Sequence, residues 1–168
     1  VSGAAGSGWA LSVPSGRGTY ELEMARANPR AHILCLGNNW DVLLEARRRA
    51  AAAGLANLYF VRGIPRLLPV RDSVIGGVWS GTGLHRYPRA ERELTQMVRA
   101  AKPGAPVAGT SLVRGGPTLF DLVLAAAAPY LPGLNNLDSN STLLEAVGLK
   151  DARLFRDGAF VRFMALRA

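Results

Sequence analysis

The sequence predicts an α/β fold: a mostly parallel sheet of about seven strands, covered by helices and finished by an antiparallel hairpin. Three observations carry this. Short apolar runs alternate with helix-patterned segments from Trp9 to Val113, Gly- and Pro-containing turns separate them, and Asp157-Gly158 lies between two apolar-patterned runs near the end. Strands alternating with helices of this length call for right-handed crossovers and a sheet buried on both faces. An Asp-Gly step between two strands is a tight-turn signal, so the last pair should be antiparallel.

Each element follows from its residues. Trp9 to Val13 is apolar and closed by Pro14, Ser15 and Gly16, a buried strand ending in a turn. Thr19 to Arg26 is helix-patterned with Leu22, Met24 and Ala25 for an inner face, and it stops at Asn28-Pro29 because proline restricts the residue before it. His32 to Leu36 is a second strand. Asp41 to Ala53 is a helix rich in Ala and Arg, stopped by Gly54. Leu58 to Val61 and Val74 to Ser80 are the third and fourth strands, and the loop from Gly81 to Pro88 leads into a helix over Arg89 to Ala101. After Lys102-Pro103-Gly104 comes a fifth strand, Pro106 to Val113, then helices over Thr118–Ala128 and Ser141–Val147. Ala152–Phe155 and Phe160–Leu166 form the closing hairpin.

With 168 residues and 49% hydrophobic content, the chain suits one domain with a substantial core, expected over residues 9–168. Residues 1–8 are mostly small and read as a flexible arm. No apolar run reaches the roughly 20 residues a membrane-spanning helix needs. The first residue is Val, which points either to a removed targeting segment or to a fragment. Cys35 is the only cysteine, which excludes an intramolecular disulfide and a cysteine-based zinc site; no metal site is expected. An intracellular, reducing location is the simplest reading: a chloroplast or mitochondrion if a leader has been removed, otherwise the cytoplasm.

The net charge is +8, and 18 of the 20 basic residues are Arg. They are scattered, with no block interleaved with aromatics, so nucleic acid is not the favoured partner. Arg47-Arg48-Arg49 points in three directions around its helix and reads as a solvated face. His32 begins a strand and reads as structural. Cys35, inside an apolar run, reads as a small hydrophobe. His85 falls at the carboxyl end of the fourth strand, where such sheets place ligands, and is the candidate general base. Its alternative role is a loop histidine packed on Tyr87.

An ordered series of local sequences carries a resemblance. It runs from Ser12-Val13-Pro14-Ser15-Gly16-Arg17-Gly18, through Glu45 to Arg49 and Gly54 to Asn57, to Leu68-Pro69 with Asp72. Leu84-His85, Arg99 through Gly104 and Glu145 to Leu149 complete it. In order and spacing the chain resembles class I S-adenosylmethionine-dependent methyltransferases, in the branch of the quinone-biosynthesis C-methyltransferases. The resemblance implies the Rossmann-like fold of that family. It also implies cofactor contacts at Gly16, Gly18, Gly37, Asn38 and Ile64.

Against the family pattern, the residues that would hold the cofactor are changed. The resemblance implies an acid where Ser12 stands, a glycine at Pro14, a ribose-binding acid at Gly37, an adenine-side acid at Ile64 and a further acid at Gly76. Gly16 and Gly18 remain, and Asn38, Asn39 or Asp41 would have to reach the ribose from shifted positions. A hydrogen bond to a charged group contributes about 1.5–3 kcal/mol, so two losses cost about 3–6 kcal/mol and a third adds to that. The reading that follows is a degenerate methyltransferase-like domain, a non-catalytic accessory or structural subunit of a larger protein complex, with no cofactor. Its alternative is an active enzyme that uses S-adenosylmethionine and methylates a small apolar acceptor. A binding module that keeps the pocket for another small molecule is the third.

Overall fold

The computed structural model describes residues 8–81, 83–88, 90–114, 118–134 and 142–168. The arm expected over residues 1–8 lies, apart from Gly8, outside the described residues, as do Thr82, Arg89 and the start of the helix expected at Ser141.

Seven strands form one sheet: β1 Trp9–Ser12, β2 His32–Gly37, β3 Leu58–Arg62, β4 Ile75–Ser80, β5 Pro106–Leu112, β6 Leu149–Asp157 and β7 Phe160–Arg167. Their order is β3-β2-β1-β4-β5-β7-β6, which puts β1 inside the sheet, beside β4. Neighbours among β1–β5 pair in parallel, and β7 runs antiparallel to both β5 and β6. The helices are α1 Thr19–Ala27, α2 Trp40–Ala52, α3 Ala90–Ala100, α4 Thr118–Ala127 and α5 Thr142–Ala146.

The expected elements are present, and two differences have local causes. β6 begins at Leu149, earlier than Ala152, because its first residues pair with Arg167 and Leu166 before an irregularity at Lys150 to Arg153, where Asp151 has φ 54°. The hairpin turn is Gly158-Ala159, one residue later than the Asp-Gly step suggests, with Asp157 and Phe160 still paired. Gly158 has φ 58°, and a glycine with positive φ at the first turn position suits the twist of a two-residue hairpin.

Two faces of the sheet are packed differently. On one, Leu11, Leu36, Val107, Val161 and Phe163 join Leu94 and Met97 of α3 and Leu144 of α5 in the main core. On the other, Leu22 and Ala25 of α1 and Ala50 of α2 cover Ile33 and Cys35. Gly18 opens α1 at φ 90°, and a Cβ there would stand 2.7 Å from Leu22 Cδ1 and 3.3 Å from Ala46 Cβ. Only glycine allows both the left-handed turn and the close approach of α2. Further along this second face, Gly77, Trp79, Ala108, Met164 and Leu166 line a groove of about 500 Å³, bounded by Met24 of α1 and by Asn28 just after that helix. Apolar side chains stay open here, Met164 being 43% exposed.

Candidate functional site

Parallel strands deliver their following loops to one edge of the sheet, and where neighbouring crossovers leave in opposite directions a crevice opens. Here the reversal lies between β1 and β4. A cleft of about 780 Å³ lies at these carboxyl ends, lined by Pro14, Ser15 and Gly16 after β1, by Asn38 to Val42 after β2, and by Arg62, Arg86 and Tyr87. It adjoins a second recess of about 670 Å³ that shares Asn38, Arg62 and Tyr87 and adds Ile64, Pro65, Arg66 and Glu93.

Gly16, Gly37, Asn38 and Ile64 fall in or beside this region, and each stands differently. Gly16 lines the cleft, and a Cβ there would meet nothing within 4 Å. Gly18 is set back, filled against α1 and α2. Gly37 is buried: a Cβ on it would stand 3.0 Å from the Ser15 carbonyl oxygen and 3.3 Å from Leu43 Cδ2. The loop after β1 is tied over this spot, since Ser15 N donates to Leu36 O at 2.7 Å. An acid at the end of β2 is therefore not simply missing; its stem would be crowded by the Ser15 backbone, which would have to give by a few tenths of an ångström. Asn38 lines both cavities, and Ile64, 47% exposed, lines the second. Asn39 caps α2, its Oδ1 accepting from Val42 N at 3.2 Å, and Asp41 stands in the first turn of that helix on the cleft wall.

At the first loop the structure holds an acid that sequence spacing did not reveal. Ser12 Oγ and Ser15 Oγ both donate to Glu21 Oε1 of α1, at 2.7 and 2.9 Å. The carboxylate is 3% exposed and is not in an ion pair among the described residues. It sits behind Ser15, one side chain away from the cleft. The signal available in sequence was the pairing of two unexpected serines with an acid in the first turn of the next helix, and a first-turn acid is ordinarily read as a partner of the helix dipole. Glu93 of α3 was missed too; it is buried, and its Oε2 has no hydrogen-bond partner among the described residues.

His85 is brought to the same edge but does not line the cleft. Its Nδ1 accepts from the Leu112 amide at 3.3 Å, which leaves the ring proton on Nε2, and its carbonyl accepts from Gly133 N at 3.0 Å. Burial, and then the charge of Arg86, lowers its pKa below the ordinary histidine value. It joins the end of β5 to the loop after α4 and is neutral at physiological pH. Tyr87 beside it is pushed up to about 12, chiefly by burial and then by Glu93. His32 lies apart, with its Nδ1 3.1 Å from Tyr59 Oη and its ring 5.0 Å from that of Trp9. The Cys35 thiol is raised far above its usual range by burial and then by the Glu21 carboxylate, so it is not a nucleophile. Among the described residues no cluster of His, Cys, Asp and Glu could hold a metal ion, and no helix is long and apolar enough to cross a membrane.

The chain is 33% identical over 100 residues to the ubiquinone/menaquinone biosynthesis C-methyltransferase UbiE of Brucella anthropi, covering 58% of this chain and 38% of that protein. It is 31% identical over 99 residues to the demethylmenaquinone methyltransferase of Shouchella clausii, covering 58% of this chain and 42% of that protein. The chain thus spans about two fifths of the length of these curated relatives. No family model matches. In fold it is similar to a SAM-dependent methyltransferase from Aquifex aeolicus, with a TM-score of 0.78 at 16% identity over 99% of this chain and 86% of that one. It is equally similar to the [4+2]-cyclase SpnF, with a TM-score of 0.78 at 16% identity over 96% of this chain and 75% of that one. Over part of its length the chain is similar in sequence to quinone-biosynthesis C-methyltransferases, and over nearly all of it the chain has the fold of class I S-adenosylmethionine-dependent methyltransferases.

Proposed function

We propose that this domain is a methyltransferase fold retained as a non-catalytic subunit, docked in a larger protein assembly. The observation that carries the reading is the packing at Gly37, where the Ser15 carbonyl stands 3.0 Å from where a side chain would begin. S-adenosylmethionine bears a sulfonium and an ammonium, and its ribose and adenine offer hydrogen-bond donors. The walls present suit it poorly. No acid stands at the end of β2, the nearest being Asp41 in the first turn of α2; the Ile64 side chain offers the adenine side no acceptor, Pro14 has no N–H, and Arg62 and Arg86 stand on the cleft wall. Two lost charged hydrogen bonds cost about 3–6 kcal/mol, on the order of a hundredfold to ten-thousandfold in affinity. Retention without the cofactor then rests on contacts, and the open apolar groove beside Met164 and Leu166 supports docking, since a largely parallel sheet is normally covered on both faces.

One observation favours the alternative of an active methyltransferase for a small apolar acceptor: Glu21 restores a carboxylate beside Ser12. The readings separate on purification of the tagged protein from its own cells. The proposal expects a stable larger assembly that is weakened, with the domain still folded, by Arg48→Glu or Arg92→Glu. A free monomer that methylates a small acceptor would replace it with the alternative.

A further inference from the structure

From the charge on its walls, we infer that the cleft binds a small organic anion, whose phosphate or carboxylate head is taken by Arg62 and Arg86. Both guanidinium-bearing residues line the cleft, one from the end of β3 and one from the loop after β4. Their backbones are engaged, Arg62 pairing with Gly37 in the sheet and Arg86 N donating to Gly83 O, but among the described residues neither guanidinium has a hydrogen bond or an ion pair. Arginines with internal work are easy to recognise in this protein: Arg99 pairs with Asp72 and bonds Leu68 O, and Arg167 bonds Ser73 Oγ and the Arg99 carbonyl. Arg62 and Arg86 have no such work. Guanidinium groups on two walls of one cleft suit a planar or tetrahedral oxyanion, which each can meet with two parallel N–H donors.

The acids that face the same space do not cancel this. Asp41 lies in the first turn of α2, where a carboxylate is held by the helix terminus. Glu21 is covered by Ser12 and Ser15 and shows 3% of its surface. Glu93 is in the second recess, where Arg66 also stands, and its unpartnered Oε2 calls for a donor at the far end of the ligand. The surroundings of the head group also offer Asn38 and the Ser15–Gly16 backbone. A ligand of nucleotide size fits the volume of about 780 Å³.

The test is calorimetric titration of the whole chain in 50 mM salt with adenosine 5′-monophosphate and with citrate, one for each kind of head group, and with adenosine as the neutral control. At least one anion should bind with a submillimolar Kd, adenosine at least tenfold more weakly. Arg62→Gln and Arg86→Gln should each weaken the anion about fivefold, a change that exposed side chains permit without unfolding. Arg47→Gln, on the exposed side of α2, should leave it unchanged. Failure of both anions, or equal binding of adenosine, would overturn the inference. So would an Arg47→Gln effect as large as the other two, which would mark a general response to the +8 charge. None of these titrations contains S-adenosylmethionine, so their outcome is independent of the reading above.

Discussion

Replacing Ser12 and Ser15 together with alanine should cost more stability than removing Glu21 along with them. Both hydroxyls converge on one carboxylate oxygen, at 2.7 and 2.9 Å, and the three residues are 0%, 8% and 3% exposed. In the double variant the carboxylate stays buried without its two donors. Breaking a buried charge's partners in this way costs about 3–5 kcal/mol. The triple variant, with Glu21→Met added, removes donors and acceptor together and leaves apolar groups of similar volume, so it should come within about 1.5 kcal/mol of the parent. Glu21→Met alone should be intermediate. It strands the Ser12 hydroxyl, while Ser15 at the cleft edge can turn to water, at about 1–3 kcal/mol. Urea unfolding followed by tryptophan fluorescence, with a second probe to establish two-state behaviour, measures all four proteins. A double variant as stable as the parent, or a triple variant no better than the double, would refute the reasoning.

Two more outcomes follow from the same geometry. His85 has a lowered pKa and accepts a hydrogen bond through Nδ1, so the unfolded chain binds its proton first as pH falls. Stability from this residue is complete above the unfolded value near 6.5 and drains away as pH falls through the folded value; His85→Gln should therefore lose less stability between pH 7 and pH 5 than the parent in thermal melts. An identical pH slope would count against the burial of His85 as the cause of its lowered pKa. Gly37→Asp should lower the melting temperature by about 2–4 °C for each of the 1–3 kcal/mol that overpacking costs, because backbone of Ser15 must move. A variant as stable as the parent would show that the loop yields freely.

What could be read in the sequence is what periodicity and turn residues encode. The run from Trp9 and the helix from Asp41 were legible because their apolar positions repeat at the strand or helix period and because Pro14 and Gly54 end them. The mostly parallel sheet and its antiparallel last pair followed from the alternation of strands with helices and from the closing hairpin. The site was only half legible. Gly16 and Asn38 could be placed by resemblance, since both follow strands directly. Arg62 and Arg86 could not be paired, because 24 positions separate them and only the sheet order brings β3 and the loop after β4 to one cleft. Glu21 was hidden for a related reason: its partners lie on β1 and its loop, and local spacing on α1 makes it an ordinary first-turn acid. The turn at Gly158-Ala159 shows a smaller limit, since an Asp-Gly step marks a hairpin without fixing which two residues form its corner.

The proposed loss of the cofactor wall is tested most directly by calorimetric titration of the chain with S-adenosylmethionine and with its demethylated product. From the absence of acceptors at Gly37 and Ile64, the Kd for S-adenosylmethionine should be weaker than about 0.1 mM. Micromolar binding, with heat released at one site per chain, would contradict the account and make the active enzyme the better reading.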